Sequence, residues 1–179
     1  MKIKITSGIA VAVLLQTLFV GTTRADSQVS ISGKVSPGTC EVTRPIVAWD
    51  PMSAADIRAH GRISRSTKFF DLGFSGCAGV SSASITFGSV SDRDPIEKDT
   101  FRNTAGTPAP HLSIWIQRTD TSGNCPAHYS TFVPGSPFTW AIGSADQVMK
   151  LCATYWNTGS NNVTAGDVSA TIAVSVAYH

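Results

Sequence analysis

Charge is scarce in this 179-residue chain: 15% of its residues are Asp, Glu, Lys or Arg, and no block of like charge occurs. A nucleic-acid partner requires a basic patch or stripe, so that class is excluded. Long apolar runs are missing as well. The longest, Ile9 to Val20, is twelve residues, too short to cross a bilayer as a helix. There is no CxxC pair and no HxH or HExxH arrangement, and the four histidines are scattered, so the usual ligand patterns of a zinc or copper enzyme are lacking. No internal repeat, low-complexity tract or interdomain linker divides the chain, which reads as one domain.

The short apolar run follows Lys2 and Lys4 and is followed by Thr23-Arg24-Ala25, the small-residue pattern of a signal-peptidase site, so residues 1–25 are expected to be a cleaved signal peptide. Lys2, Lys4 and Arg24 leave with it. Fourteen basic groups become eleven against twelve acidic ones, and the remaining 154 residues are close to neutral. Export implies an oxidising compartment, where the even set Cys40, Cys77, Cys125 and Cys152 suits two disulfides. Three pairings are open. Cys40 with Cys77 and Cys125 with Cys152 needs the fewest chain crossings, although spacing alone does not decide it. A zinc site built on Cys125 and His128 has no second clustered pair to complete it, so the expected set of metals and cofactors is none.

What the sequence has is strand pattern. Runs rich in Val, Ile, Thr and aromatics, bounded by Gly, Pro, Asn, Asp and Ser, predict strands at 28–35, 40–48, 67–74, 82–88, 111–118, 138–142, 148–156 and 168–178. That is the strand count of an immunoglobulin-like sandwich. Met52 to His60 is the one helical stretch, with Ser53 as cap and Gly61 as stop.

Two of these strands are unusually regular. Val168, Ala170, Ile172, Val174, Val176 and Tyr178 alternate with small or polar residues up to His179, and Val29, Ile31, Gly33 and Val35 alternate with Gln28, Ser30, Ser32 and Lys34. Each segment has one apolar face to bury. Periodicity alone is equally met by the first and last strands of a closed sandwich.

The stretch Ala25 to Val35 with Cys40-Glu41-Val42 resembles the amino-terminal extension and first core strand of chaperone-usher pilins, the type 1 fimbrial subunit family. Gly166, fourteenth from the C-terminus, and the penultimate Tyr178 resemble that family's carboxyl-terminal motif. Phe70 to Cys77 is similar to the strand carrying its second cysteine, and Phe101 to Gly106 to its mid-domain segment. The resemblance covers residues 26–179. Cys125, Cys152 and the Pro51 to His60 stretch depart from it.

The resemblance implies an all-β, incomplete immunoglobulin-like β-sandwich completed by a donor strand from another subunit. It divides the chain into a signal peptide (1–25), a donor-strand extension (26–37) and a pilin domain (38–179). It makes Val29, Ile31, Gly33 and Val35 the donor residues, and Gly166, Val168, Ala170, Ile172, Val174, Val176, Tyr178 and His179 the acceptor groove and chaperone-binding edge. The implied partners are a periplasmic pilus chaperone, an outer-membrane usher and neighbouring pilin subunits, with export through the periplasm to a surface fimbrium that supports adhesion. β-strand addition supplies the physics: main-chain hydrogen bonds along an open edge, and alternate side chains in pockets.

Enzymatic readings are poorly supported. Gly73-Phe74-Ser75-Gly76-Cys77 only approaches a nucleophile elbow and no helix pattern follows it. Asp92, Asp94, Glu97, Asp99 and Asp120 lie in turn-like polar stretches without EF-hand spacing. Asn162-Val163-Thr164 reads as a turn. The rival is a complete secreted sandwich that binds sugar or protein through Trp115, Trp140 and Trp156, which equally suit a core. A separate receptor-binding domain does not fit in 154 residues.

Overall fold

The computed structural model describes Ser32 and residues 38–127, 129–159 and 163–179. Val29, Ile31, Gly33 and Val35 lie outside the described residues, as do the leader and His128. The described elements are two 3-10 turns (Ala54–Asp56 and Val90–Asp92) and seven strands: β1 (Glu41–Val42), β2 (Gly61–Ser75), β3 (Ser82–Phe87), β4 (Leu112–Arg118), β5 (Pro137–Ala141), β6 (Gln147–Asn157) and β7 (Val174–Tyr178). One sheet has the order β1-β2-β6-β4, the other β5-β3-β7. Every strand pair is antiparallel.

Alternation places one side of each strand between the sheets. Leu72 and Phe74 from β2, Ala83, Ile85 and Phe87 from β3, Ile114 and Ile116 from β4, and Met149, Leu151 and Ala153 from β6 form the main core. Burying a side chain of this size contributes roughly 1.5 to 3 kcal/mol. A second cluster at one end of the sandwich holds Ile57, Ile63, Leu112 and Tyr155, with Trp49 packed on it; the Trp49 and Tyr155 rings lie 5.0 Å apart.

Three strand boundaries and the helical stretch differ from the sequence reading. The 40–48 strand shrinks to two residues, because Pro45 lacks an N–H and beyond Thr43 N to Gly73 O the segment makes no regular ladder. β2 starts at Gly61 rather than Thr67 and carries a bulge between Ile63 and Lys68; the polar residues in that bulge hid the strand. The last strand is laddered only from Val174, since β3 ends opposite it at Phe87 and Gly88 (φ 59°) turns the chain away. The helical stretch is a single 3-10 turn, Ala54–Asp56, capped by Ser53.

Both disulfides have the sequence-near pairing, Cys40–Cys77 and Cys125–Cys152. The second ties the 119–127 loop to β6, and Gln117 Nε2 donates to the Pro126 carbonyl at 2.5 Å. β4 is buried on both faces, its outward Gln117 beneath this loop and its outward Trp115 against Trp156 and Arg62.

Candidate functional site

Each sheet ends in a strand with one neighbour: β1 pairs only with β2, and β7 only with β3. Between these two edges lies an open groove of about 570 Å³. Val42, Arg44, Pro45, Val47 and Trp49 form one wall, and Ala170, Ile172 and Val174 the other. Its floor is core: Leu72, Phe87, Ile114, Ile116 and Ala153, each 5% exposed or less, together with the partly buried Phe70. The groove therefore runs down to the centre of the hydrophobic interior.

From Val168 to Tyr178, the six alternate apolar residues are all partly buried and those between them all exposed. All six pack on the main core. Ala170, Ile172 and Val174 line the groove itself, whereas Val176 and Tyr178 continue the same face towards one end. Tyr178 Oη donates to the Cys40 carbonyl at 2.8 Å, which ties the last strand to the start of the first at that end. The His179 carbonyl accepts from the backbone N–H groups of Ser81 and Ser82.

Gly166 does not line the groove. A Cβ there would stand 2.5 Å from Ala109 N and 2.6 Å from Ala109 Cα, so glycine is what allows the segment entering the last strand to pass the 108–109 backbone. That segment is held from the side by Asn103. Its Nδ2 donates to the Asp167 carbonyl at 2.7 Å and its Oδ1 accepts from Ser169 N at 3.0 Å, while Thr104 N donates to the Ser169 carbonyl. Residues 168–173 are thus kept extended without a β3 partner. Asn103 and Thr104 lie in the 101–106 segment that the sequence singled out by resemblance, without a role; the structure shows them holding residues 167 and 169.

The lining of the groove is mostly apolar. Thr43 and Arg44 are polar groups on one wall, and the Thr43 hydroxyl is already used by Gly73 N at 2.8 Å. Among the described residues, no group of three or more His, Cys, Asp or Glu side chains is arranged to hold a metal ion. Trp115 and Trp156 are stacked edge to face at 5.2 Å, with Arg62 over the Trp115 ring, and Trp140 packs on Phe74. These tryptophans are structural neighbours of one another and of the core. What the groove offers a ligand is two free main-chain edges about an apolar trough, the geometry that receives an extended peptide.

A family model described as fimbrial protein matches residues 29–179. The chain is similar in fold to a subunit in a chaperone-usher pilus structure concerned with rod uncoiling (15% identity, 87% of this chain and 97% of that chain covered, TM-score 0.60). It is similar also to the P pilus rod subunit PapA (16% identity, 79% and 100% covered, TM-score 0.61). The CupB6 tip adhesin from Pseudomonas aeruginosa is a further match, over 67% of this chain and 32% of that one, at 18% identity and a TM-score of 0.50. No curated protein sequence matches.

Proposed function

The chain belongs to the fimbrial protein family, and from that premise we propose that it polymerises by donor-strand exchange, the 26–37 extension of one copy filling the groove of the next. It is a structural subunit of a pilus. In this reading Val29, Ile31, Gly33 and Val35 point alternately into the trough, Gly33 letting the two backbones approach closely at one position. Residues 1–25 direct export. A periplasmic pilus chaperone occupies the groove first, an outer-membrane usher exchanges it for the next subunit, and the product is a surface fimbrium that supports adhesion as rod or minor tip adaptor. No catalytic step and no small-molecule substrate is involved.

The observation that carries this reading is the open trough between the β1 and β7 edges with buried core as its floor. The test is the thermal midpoint of the oxidised domain lacking residues 26–36, against the same domain with Asp26 to Pro37 joined by a flexible linker after His179. A large rise on fusion supports a sandwich completed by a donor. An unchanged midpoint means that the sandwich is complete without one, and a closed binding module replaces the pilus reading.

A further inference from the structure

The β5-β3-β7 sheet has a second free edge, on β5. The direction of the backbone groups fixes what that edge offers. Ser82 exchanges both of its backbone bonds with His179, on the β7 side, so by alternation Ala83 and Ile85 turn theirs towards β5. These two stand opposite Trp140 and Phe138. Pro137, Thr139 and Ala141 therefore point their backbone groups away from the sheet, and all three residues are exposed. Pro137 has no N–H, and the Ala141 carbonyl already accepts from Gln147 Nε2 at 3.5 Å. The Thr139 N–H and carbonyl, the Ala141 N–H and the Pro137 carbonyl have no partner among the described residues. Edge strands are commonly blunted by charged side chains, yet residues 136–143 carry none.

We propose that β5 pairs edge to edge with β5 of a second copy of the chain, antiparallel and centred on Thr139. In that register Thr139 exchanges both bonds with the second copy's Thr139, and Ala141 N donates to the second copy's Pro137 carbonyl. The donor that proline lacks falls opposite the Ala141 carbonyl, which Gln147 already serves. Every free group finds a partner, so the edge is complementary to itself. Centring the pair on Phe138 instead would set Pro137 opposite Thr139 and leave both Thr139 carbonyls without a donor. On the inner face Phe138 comes opposite the second copy's Trp140. Both are partly buried, Phe138 against Phe132 at 5.3 Å and Trp140 against Phe74 at 5.0 Å, and a cross-strand aromatic pair gives each the flank it lacks. The contact is isologous and closes on itself: it joins two chains side by side, away from the groove edge at β7, and does not extend a fibre. Five residues a side is fewer than the roughly 20 to 30 of a stable complex, so a single contact is weak and is read by trapping it.

The test is disulfide trapping in the oxidised full-length chain, with one added cysteine at an exposed edge position and linked dimers counted on a denaturing, non-reducing gel. Paired residues stand about 5.5 Å apart, within disulfide reach, whereas Ala141 lies four residues, about 13 Å, along the strand from its own counterpart. Thr139→Cys should therefore link about tenfold faster than Ala141→Cys or Pro137→Cys. An equimolar mixture of Pro137→Cys and Ala141→Cys chains should link although neither does alone. Adding Thr139→Lys to both members of that mixture sets like charges face to face and should slow the link about tenfold. Thermal midpoints verify that each variant folds, and the mixture still decides if Thr139→Cys does not. If Thr139→Cys links no faster than Ala141→Cys, or the mixture no faster than its members, the proposal is overturned.

Discussion

Ile85 and Ile172 belong to neighbouring stretches of the same side of the sandwich, and replacing each by alanine separates a filled core from an open groove. Ile85 is fully buried on β3, with β5 on one side and β7 on the other. Removing its side chain should cost about 2 to 5 kcal/mol, the usual penalty for a large-to-small change in a packed interior. Ile172 packs on the same core from the groove wall but is only partly buried. In the domain without donor, the water already touching it limits the loss to about 1 kcal/mol. In the donor-fused domain the trough is covered, and Ile172→Ala should then approach the cost of Ile85→Ala. Urea unfolding of both variants in both backgrounds measures the four values. The refuting result is an Ile172→Ala penalty as large without donor as with it, since that would mean the groove wall is already sealed.

Other perturbations address the parts that frame the groove. Replacing Cys125 and Cys152 by alanine opens a loop of 27-residue separation, worth about 3.5 kcal/mol in chain entropy; a fall in midpoint of about 10 °C is expected, and an unchanged midpoint would show that the loop is held without the bond. Tyr178→Phe removes the hydrogen bond to the Cys40 carbonyl and should cost about 1 kcal/mol, read as a midpoint lower by about 3 °C. The Lys68 ammonium holds the Asp50 carboxyl below the usual carboxylate range, by its hydrogen bond first and its charge second. Because the folded value is the lower one, the contribution is present above the unfolded pKa and is lost as pH falls through the folded value. Lys68→Met should therefore return the Asp50 titration to the ordinary range by NMR; an unmoved titration would refute the pairing.

Most strands were legible because their alternation is read against a single buried face: 82–88, 111–118, 138–142 and 148–156 fall within two residues of β3, β4, β5 and β6. What alternation cannot supply is a partner. Residues 40–48 have strand composition, yet they follow β2 only through Val42 and Thr43 before Pro45 interrupts the N–H row. The first third of β2 escaped for the opposite reason: its bulge holds Ser64, Arg65, Ser66 and Thr67 in the ladder's path, a polar run that reads as a loop. The outward residues Trp115, Gln117 and Thr154 should have been exposed by period alone. They are buried: Gln117 by the loop bearing Cys125, which is tied to β6, and Trp115 by the Trp156 ring and the Arg62 guanidinium, contacts between segments far apart in sequence.

The groove was visible in the sequence as a surplus of apolar faces, and only strand order shows where the surplus lies. β3 and β7 are adjacent in one sheet and both alternate with period two. On β3 the inward residues Ala83, Ile85 and Phe87 are 0%, 0% and 3% exposed, whereas on β7 Val174, Val176 and Tyr178 remain partly exposed. Composition does not separate the two sets, since valine is fully buried about as often as alanine and phenylalanine. The difference is the number of neighbours: two strands flank β3 and one flanks β7. An extended segment laid along the free edge of β7 would give its inward side chains the second neighbour they lack. It would also cover the Leu72, Ile114 and Ile116 floor without moving any other strand.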